Sequence, residues 1–464
     1  MRKTEPGPWL GILSAAVLAV DAGLSPASRT WQALACMALL AALGLAGWRL
    51  AALLLPGEGL LTRVTAAFSL SVALGTVSAT ALGCLGLLTP RLFELLAGCG
   101  AVLSLLAPRP EPGGEPPWRP ALLPLLCLGL LAILTVANLV EHGDSPPGTF
   151  SYDDLSYHLP AVATWLHSHD LRMMKLSYGD ESTTFYPIGG ELWAWVLVAP
   201  FRDSDVLARW SQLPFALFSL IAVAAVARRL GLSGPTTALA VIFYWSVPRT
   251  LFQLALTAGN DHSLAFFMIA GVDAALLLAR RQDGSRAVYA GVVLGLLLGT
   301  KYIAILFAPL LFLVWLAARQ DARQEAPSPG LLAVAGLVLA FAVITGGYTY
   351  LRSAVVTGNP LFPAPVELFG KQLLPGWPEA SPGSRRAVES GSDLFPLLWG
   401  RTDLLGPLFR FTLLPGALAA AVLALWRWRS PGGRTALVAA LSAIGQPVIN
   451  VETPEVTVHV PPAQ

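Results

Sequence analysis

Residues 331–350 read LLAVAGLVLAFAVITGGYTY, an apolar run without a charge. A helix rises about 1.5 Å per residue, so a run of roughly 20 residues matches the hydrocarbon core of a bilayer. Residues 121–140, ALLPLLCLGLLAILTVANLV, repeat the pattern. A transmembrane strand would instead be short and alternate in polarity, whereas the Leu/Ala/Val/Gly runs here are continuous. Outward from these two stretches, apolar segments recur near 8–24, 31–55, 64–88, 91–107, 206–227, 235–252, 262–279, 287–303, 302–318 and 411–426. They predict an all-α, polytopic membrane protein with about twelve transmembrane helices. The stretch 288–318 is almost unbroken, and only Gly299 to Tyr302 offers a turn.

Composition agrees. Of 464 residues, 55% are hydrophobic and 12% charged, about half the charge of a soluble domain. The 30 basic and 28 acidic residues leave a net charge of +2 and are scattered, which excludes a surface able to neutralise a run of nucleic-acid phosphates. Cys36, Cys84, Cys99 and Cys127 lie inside apolar runs without C-x-x-C spacing and read as inert core thiols. Arg2 and Lys3 before residues 9–20 imitate a signal peptide, but no small-residue cleavage site follows, and the segment reads as a first span.

The basic residues orient the chain. Arg228/Arg229, Arg280/Arg281/Arg286, Arg319/Arg323 and Arg427/Arg429/Arg434 fall at alternate connections, which the positive-inside rule places in the cytoplasm. Residues 141–205, 253–262, 299–302 and 351–410 then face outward. In the first of these loops, Ala161 to Leu166 and Gly190 to Pro200 are apolar and Trp-containing but too short to span, and read as interfacial helices.

Five polar constellations fall on that outer side. The first, Ser151-Tyr152-Asp153-Asp154-Leu155-Ser156-Tyr157-His158-Leu159-Pro160, sets two carboxylates and an imidazole at the membrane surface. An Asp there can act as general base toward a hydroxyl, and Asp153 and Asp154 with His158 could instead hold a divalent metal, Mg or Mn; equally, either Asp could simply cap a turn. Pro160 predicts a helix start, with Asp153 to His158 as the loop before it. The second is Asn260-Asp261-His262-Ser263, where Asn260 or Asp261 would cap the next helix, leaving polar side chains over. The third is Lys301, one of only four lysines, inside a long apolar stretch. A cation at membrane depth reads as functional, or as a lysine snorkelling at a helix end. The fourth is Tyr348-Thr349-Tyr350-Leu351-Arg352 followed by the turn at Gly358-Asn359-Pro360. Arg352 could grip a phosphate bidentately or anchor at the interface. The fifth is Tyr186-Pro187 with Glu191 beside Trp193 and Trp195, where the carboxylate needs a partner, a wet cavity or the wet face of an interfacial helix.

With these residues in view, the chain resembles the bacterial GT-C class integral-membrane glycosyltransferases that use polyprenyl-phosphate sugars, akin to the protein O-mannosyltransferases and the lipid A aminoarabinose transferase. The resemblance covers about residues 121–362 and rests on Y-D-D-L-S-Y-H-L-P, T-A-G-N-D-H-S-L-A-F-F, G-T-K-Y and L-R-S with T-G-N-P-L-F-P. It implies sugar transfer with inversion on the outer face of the inner (plasma) membrane, from a polyprenyl-phosphate sugar donor to a lipid, glycan or protein acceptor. It further implies Asp153, with Asp154 as alternate and His158 beside it, as the catalytic group. Lys301 and Arg352 would contact donor phosphate; Tyr157, Glu191, Asn260, Asp261, His262 and Asn359 would contact substrate.

The expected organisation is N-terminal helices over 1–120 without an assigned role, a GT-C-like core over 121–350 holding the catalytic loop 141–205, an outer loop over 351–410 suited to the acceptor, and a last helix and tail over 411–464. The tail from Gly445 is polar and Val/Pro/Thr-rich, which reads as truncated relative to the family. Two other classes compete. Lys301 and Glu191 could mark the path of a transporter or lipid-carrier flippase, although no internal repeat is visible and the polar clusters crowd one face. A non-catalytic scaffold on the same fold is the third.

Overall fold

The structure is a computed structural model describing residues 7–24, 28–106, 153–175, 181–202, 204–205, 207–245, 258–321, 330–368 and 371–377. The expected spans at 121–140 and 411–426, Cys127, and most of the 351–410 loop lie outside the described residues.

The first four helices are α1 (Gly7–Leu24), α2 (Arg29–Leu54), α3 (Leu60–Cys84) and α4 (Pro90–Ser104). Their starts follow from local chemistry. Ser28 and Thr89 accept the Trp31 and Leu92 N–H groups, and Pro90 opens α4 where its missing N–H costs nothing. Helix α3 carries many hydroxyls yet is largely buried, because Thr65, Ser69, Ser71, Thr76 and Thr80 each return a hydrogen bond to the carbonyl four residues back.

After a π-helical turn at Asp154–His158 come α5 (Leu159–Ser168), α6 (Gly189–Val198), α7 (Leu213–Arg229) and α8 (Gly234–Trp245). Then follow α9 (Asp261–Arg280), α10 (Gly284–Leu298), α11 (Ala304–Asp321), α12 (Leu331–Gly346) and α13 (Tyr348–Thr357). The break predicted at Gly299 to Tyr302 separates α10 from α11. The all-α expectation needs one amendment: beyond the Gly358-Asn359-Pro360 turn, Val366–Leu368 (β1) and Lys371–Leu374 (β2) pair antiparallel.

Helices α2, α3 and α9 are long and apolar enough to cross a membrane. Helices α12 and α13 pass the same test jointly but are bent by 75°. The single span read at 331–350 is therefore a helix that ends at Gly346 and restarts at Tyr348. Helices α1, α10 and α11 are apolar but shorter.

The core centres on Phe68 of α3. Its ring stacks on Phe218 at 4.0 Å and meets Phe215, Phe266 and Trp193 edge-on, joining α3, α6, α7 and α9. Helix α6 is enclosed by the surrounding helices, since every residue from Gly190 to Phe201 is buried. The Trp193 indole can be buried because it donates to the Ser211 carbonyl at 3.1 Å. On its other side Trp195 meets Phe93 of α4. The N-terminal helices thus form part of the wall around α6. Cys36 is a buried free thiol, as expected, whereas Cys84 and Cys99 are exposed on the helix surface.

One end of this bundle is tied by ions. Arg229 at the end of α7 binds Asp273 of α9 at 2.6 Å, Thr62 of α3 at 2.7 Å and Glu58 at 3.4 Å. Arg286 of α10 binds the other Glu58 oxygen at 2.6 Å and Asp283 at 2.5 Å. Arginines that the sequence places on separate connections thereby converge on one acid. The motif residues lie at the start of α9, twelve residues before Asp273 and so about 18 Å away along the helix at 1.5 Å per residue.

Candidate functional site

The site is built where α6, the start of α9 and the α10–α11 break meet. The Gly189 N–H donates to the Gly299 carbonyl at 2.8 Å, which sets the start of α6 against that break. Glu191 follows on α6 and is buried. Its Oε1 contacts His158 Nδ1 at 2.6 Å and accepts from Asn260 Nδ2 at 3.0 Å. Asn260 also reaches the Thr300 carbonyl at 3.5 Å. Residues from three of the sequence constellations therefore share one carboxylate oxygen.

Asn260 does not cap α9, contrary to expectation; its side chain makes no capping bond. Gln212, just before α7, does that work by accepting the Ser263 N–H at 3.1 Å, which leaves the Asn260 amide available to Glu191. This arrangement requires Gly190, because a Cβ there would collide with the Asn260 amide. Gly190→Ala is expected to lower stability by about 1–3 kcal/mol, as overpacking does, measured by thermal unfolding of the detergent-solubilised chain. An unchanged midpoint would show that Asn260 is not held against α6.

Lys301 stands in the break between α10 and α11, and its Nζ binds Asp261 Oδ1 at 2.5 Å. Burial lowers the ammonium's pKa, but the carboxylates of Asp261, Asp153 and Glu191 outweigh it and hold Lys301 above its ordinary value. It is therefore a cation with a side chain 30% exposed, neither a stray charge in lipid nor a free snorkelling end.

The expected loop from Asp153 to His158 is helical. Asp154–His158 forms a π turn, closed by the Leu159 N–H on the Asp154 carbonyl and continuous with α5. Pro160, in the first turn of α5, has no N–H to give the Ser156 carbonyl. Asp153 is partly exposed, whereas Asp154 is fully buried. Tyr157 packs against His158 and Tyr186. Burial first, then the Asp153 and Glu191 carboxylates, hold its phenol well above the ordinary value, so it is a neutral hydroxyl.

The two acids of the suggested metal pair are placed differently on the turn. Successive side chains on a helical turn point in different directions, and Asp153 and Asp154 differ in burial. Among the described residues no group of three or more His, Cys, Asp or Glu side chains is arranged to hold a metal ion.

Arg352 lies on α13 with its guanidinium over the Tyr348 ring and one arm donated to the Thr184 carbonyl at 2.7 Å. The fork predicted to grip phosphate is thus partly used. Together with Tyr157, Tyr186 and Glu191 it lines a narrow recess of about 10 Å³, room for about one water. His262 is buried in the first turn of α9. Asn359 belongs to a loop brace instead: it donates to the Ala364 and Pro375 carbonyls and accepts the Leu361 N–H, all at 2.7–2.8 Å.

Two features escaped the sequence reading. Gln212 carried no motif. The rings of Tyr157, Tyr186, Tyr302 and Tyr350 meet edge to face in series at 5.7–5.8 Å, although each tyrosine stands in or beside a motif that was read for its charges. Comparison with known proteins returned no matching protein-family model, no matching curated protein and no matching solved structure.

Proposed function

We propose that the chain is an integral-membrane glycosyltransferase that moves a sugar from a polyprenyl-phosphate donor to a hydroxyl acceptor on the outer face of the membrane. The observation that carries this reading is the gathering, at the start of α9, of the hydrogen-bonded trio His158, Glu191 and Asn260 beside the Asp261–Lys301 ion pair. Under the positive-inside rule Arg229 and Arg286 are cytoplasmic, which puts the cluster outside.

The acids divide by accessibility. Asp154 and Glu191 are buried, and Asp261 is engaged by Lys301, so the partly exposed Asp153 is the base for the acceptor hydroxyl. The acceptor oxygen attacks the anomeric carbon as its proton passes to Asp153. The bond from that carbon to the phosphate oxygen breaks, with inversion, and polyprenyl phosphate leaves. Lys301 has three N–H donors, of which Asp261 takes one, and the others stabilise the leaving phosphate.

The test is radiolabelled transfer from polyprenyl-phosphate sugars in membranes carrying wild type or Asp153→Asn. Loss of a general base removes about a hundredfold or more of the rate. Full activity in the variant would sink the base assignment, and absence of transfer from every donor would sink the activity. A chelator added to the same assay reads the metal requirement directly.

A further inference from the structure

Another charged cluster lies where α1 and α4 meet the end of α6. Asp21 of α1 and Glu94 of α4 are both fully buried. Gly98 lies against the Ala15 backbone, and toward the start of α4 the same crossing brings the Glu94 carboxyl within hydrogen-bonding reach of Asp21. Arg202, just beyond α6, donates to Asp21 Oδ2 at 2.7 Å and to the Asp21 carbonyl at 3.1 Å, and makes no hydrogen bond to Glu94. Asp21 Oδ1 and both Glu94 side-chain oxygens have no hydrogen-bond partner. Buried polar atoms left this way are costly, and three on two adjoining acids point to something shared between them.

One guanidinium thus serves two acids. The other charged neighbours do not repair the imbalance: Arg91 on α4 is exposed, and on α2, which packs against α1 and α4, Arg29 is exposed and Arg49 stands near the other end. Two carboxylates accept hydrogen bonds and cannot donate, so as a pair of anions they only repel, in a place that water does not reach. A single proton removes both faults. A protonated carboxyl donates one hydrogen bond, and two acids this close do not both ionise. Asp21, held by the guanidinium, is the member that stays an anion, and Glu94 is the member that takes the proton.

We propose that Asp21 and Glu94 are a proton-binding pair, in which the Glu94 hydroxyl donates to Asp21 Oδ1 and the Asp21 carboxylate is balanced by Arg202. The bound proton ties α1 to α4, and Arg202 ties both to the end of α6, whose first turn holds Glu191. Helices α1 and α4, which carry no residue of the candidate site, thereby gain a chemistry of their own, independent of the glycosyl-transfer reading. Its sign with pH is fixed. The folded chain binds this proton more tightly than the unfolded one, so the stability it supplies is full at low pH and is lost as pH rises through the pair's own titration.

The test is infrared spectroscopy of the full chain in detergent, where a protonated carboxyl shows a C=O stretch that carboxylates lack. Wild type is expected to show that band at neutral pH and to lose it on alkaline titration, and Glu94→Gln to lack the Glu94 contribution at every pH. The glutamine keeps a donor for Asp21 Oδ1 without a titrating proton. Its unfolding midpoint is therefore expected to stay flat over the pH range in which that of wild type falls. Should Glu94→Gln fail to elute as a monodisperse species, Asp21→Asn gives a second variant: with the competing anion gone, Glu94 ionises beside Arg202 and the same contribution is expected to vanish. Identical protonated-carboxyl bands in wild type and either variant overturn the pair. A wild-type midpoint that follows sodium concentration rather than pH assigns the site to a metal cation and overturns it too.

Discussion

Arg229→Ala is expected to destabilise the fold by about 3–5 kcal/mol, the cost of stranding a buried charge. Asp273 is fully buried, its Oδ1 is held by Arg229 at 2.6 Å, and its Oδ2 has no hydrogen-bond partner. Removing the guanidinium also releases Thr62 and weakens the hold on Glu58, which Arg286 shares. Helices α3, α7, α9 and α10 lose a common tie at once. Unfolding midpoints of the detergent-solubilised chain measure the effect, and the double variant Arg229→Ala/Asp273→Ala separates its causes. The double variant is expected to be less damaged than the sum of the single ones, because the stranded acid has gone with its partner. A cost below about 1 kcal/mol for Arg229→Ala would place the pair among exposed surface bridges of little consequence.

This network shows what charge patterning makes legible. The arginines were readable as one face of the molecule from their spacing alone, and the structure gathers Arg229 and Arg286 on Glu58. Lys301 was readable for the same reason, since a lysine in an apolar run must be paired or placed at a break, and here it is both. Glu191 needed a partner, and has two. Where the sequence misled, a distant residue had taken over a local role. Asn260 has the composition of a helix cap, but Gln212 performs it. Trp193 has the composition of an interfacial anchor, but the Ser211 carbonyl satisfies its indole inside the bundle. The bend between Gly346 and Tyr348 falls inside the stretch read as a single span, 331–350, whose apolar run continues unbroken to Gly347. Asn359 in its turn signature was read for function when its amide simply braces the loop.

The site's geometry depends on a motif that polarity alone does not reveal. Gly291, Gly295 and Gly299 recur every fourth residue on one face of α10 and lie against Val338, Ala342 and Gly346 of α12. A Cβ on Gly291 would come within 2.5 Å of the Val338 carbonyl, and one on Gly295 would collide with the Ala342 carbonyl and Thr345 Oγ1. Backbone, not flexible side chain, is the obstacle, so relaxation must move a helix. Small residues at such a crossing let two apolar helices associate through close packing where lipid offers no hydrophobic drive. Gly295→Leu is therefore expected to cost about 3 kcal/mol, the upper end for overpacking. It is also expected to reduce the proposed sugar transfer, because the end of α10 leads into the Gly299 carbonyl that receives Gly189 and the break that places Lys301. Gly336→Leu on α12 is the control: nothing lies within 4 Å of the added Cβ, and leucine favours a helix over glycine, so stability should hold or rise slightly. If the two leucine variants unfold at the same temperature, close packing of α10 on α12 is not what holds the site. If only Gly295→Leu falls, and transfer falls with it, the crossing sets the position of Lys301.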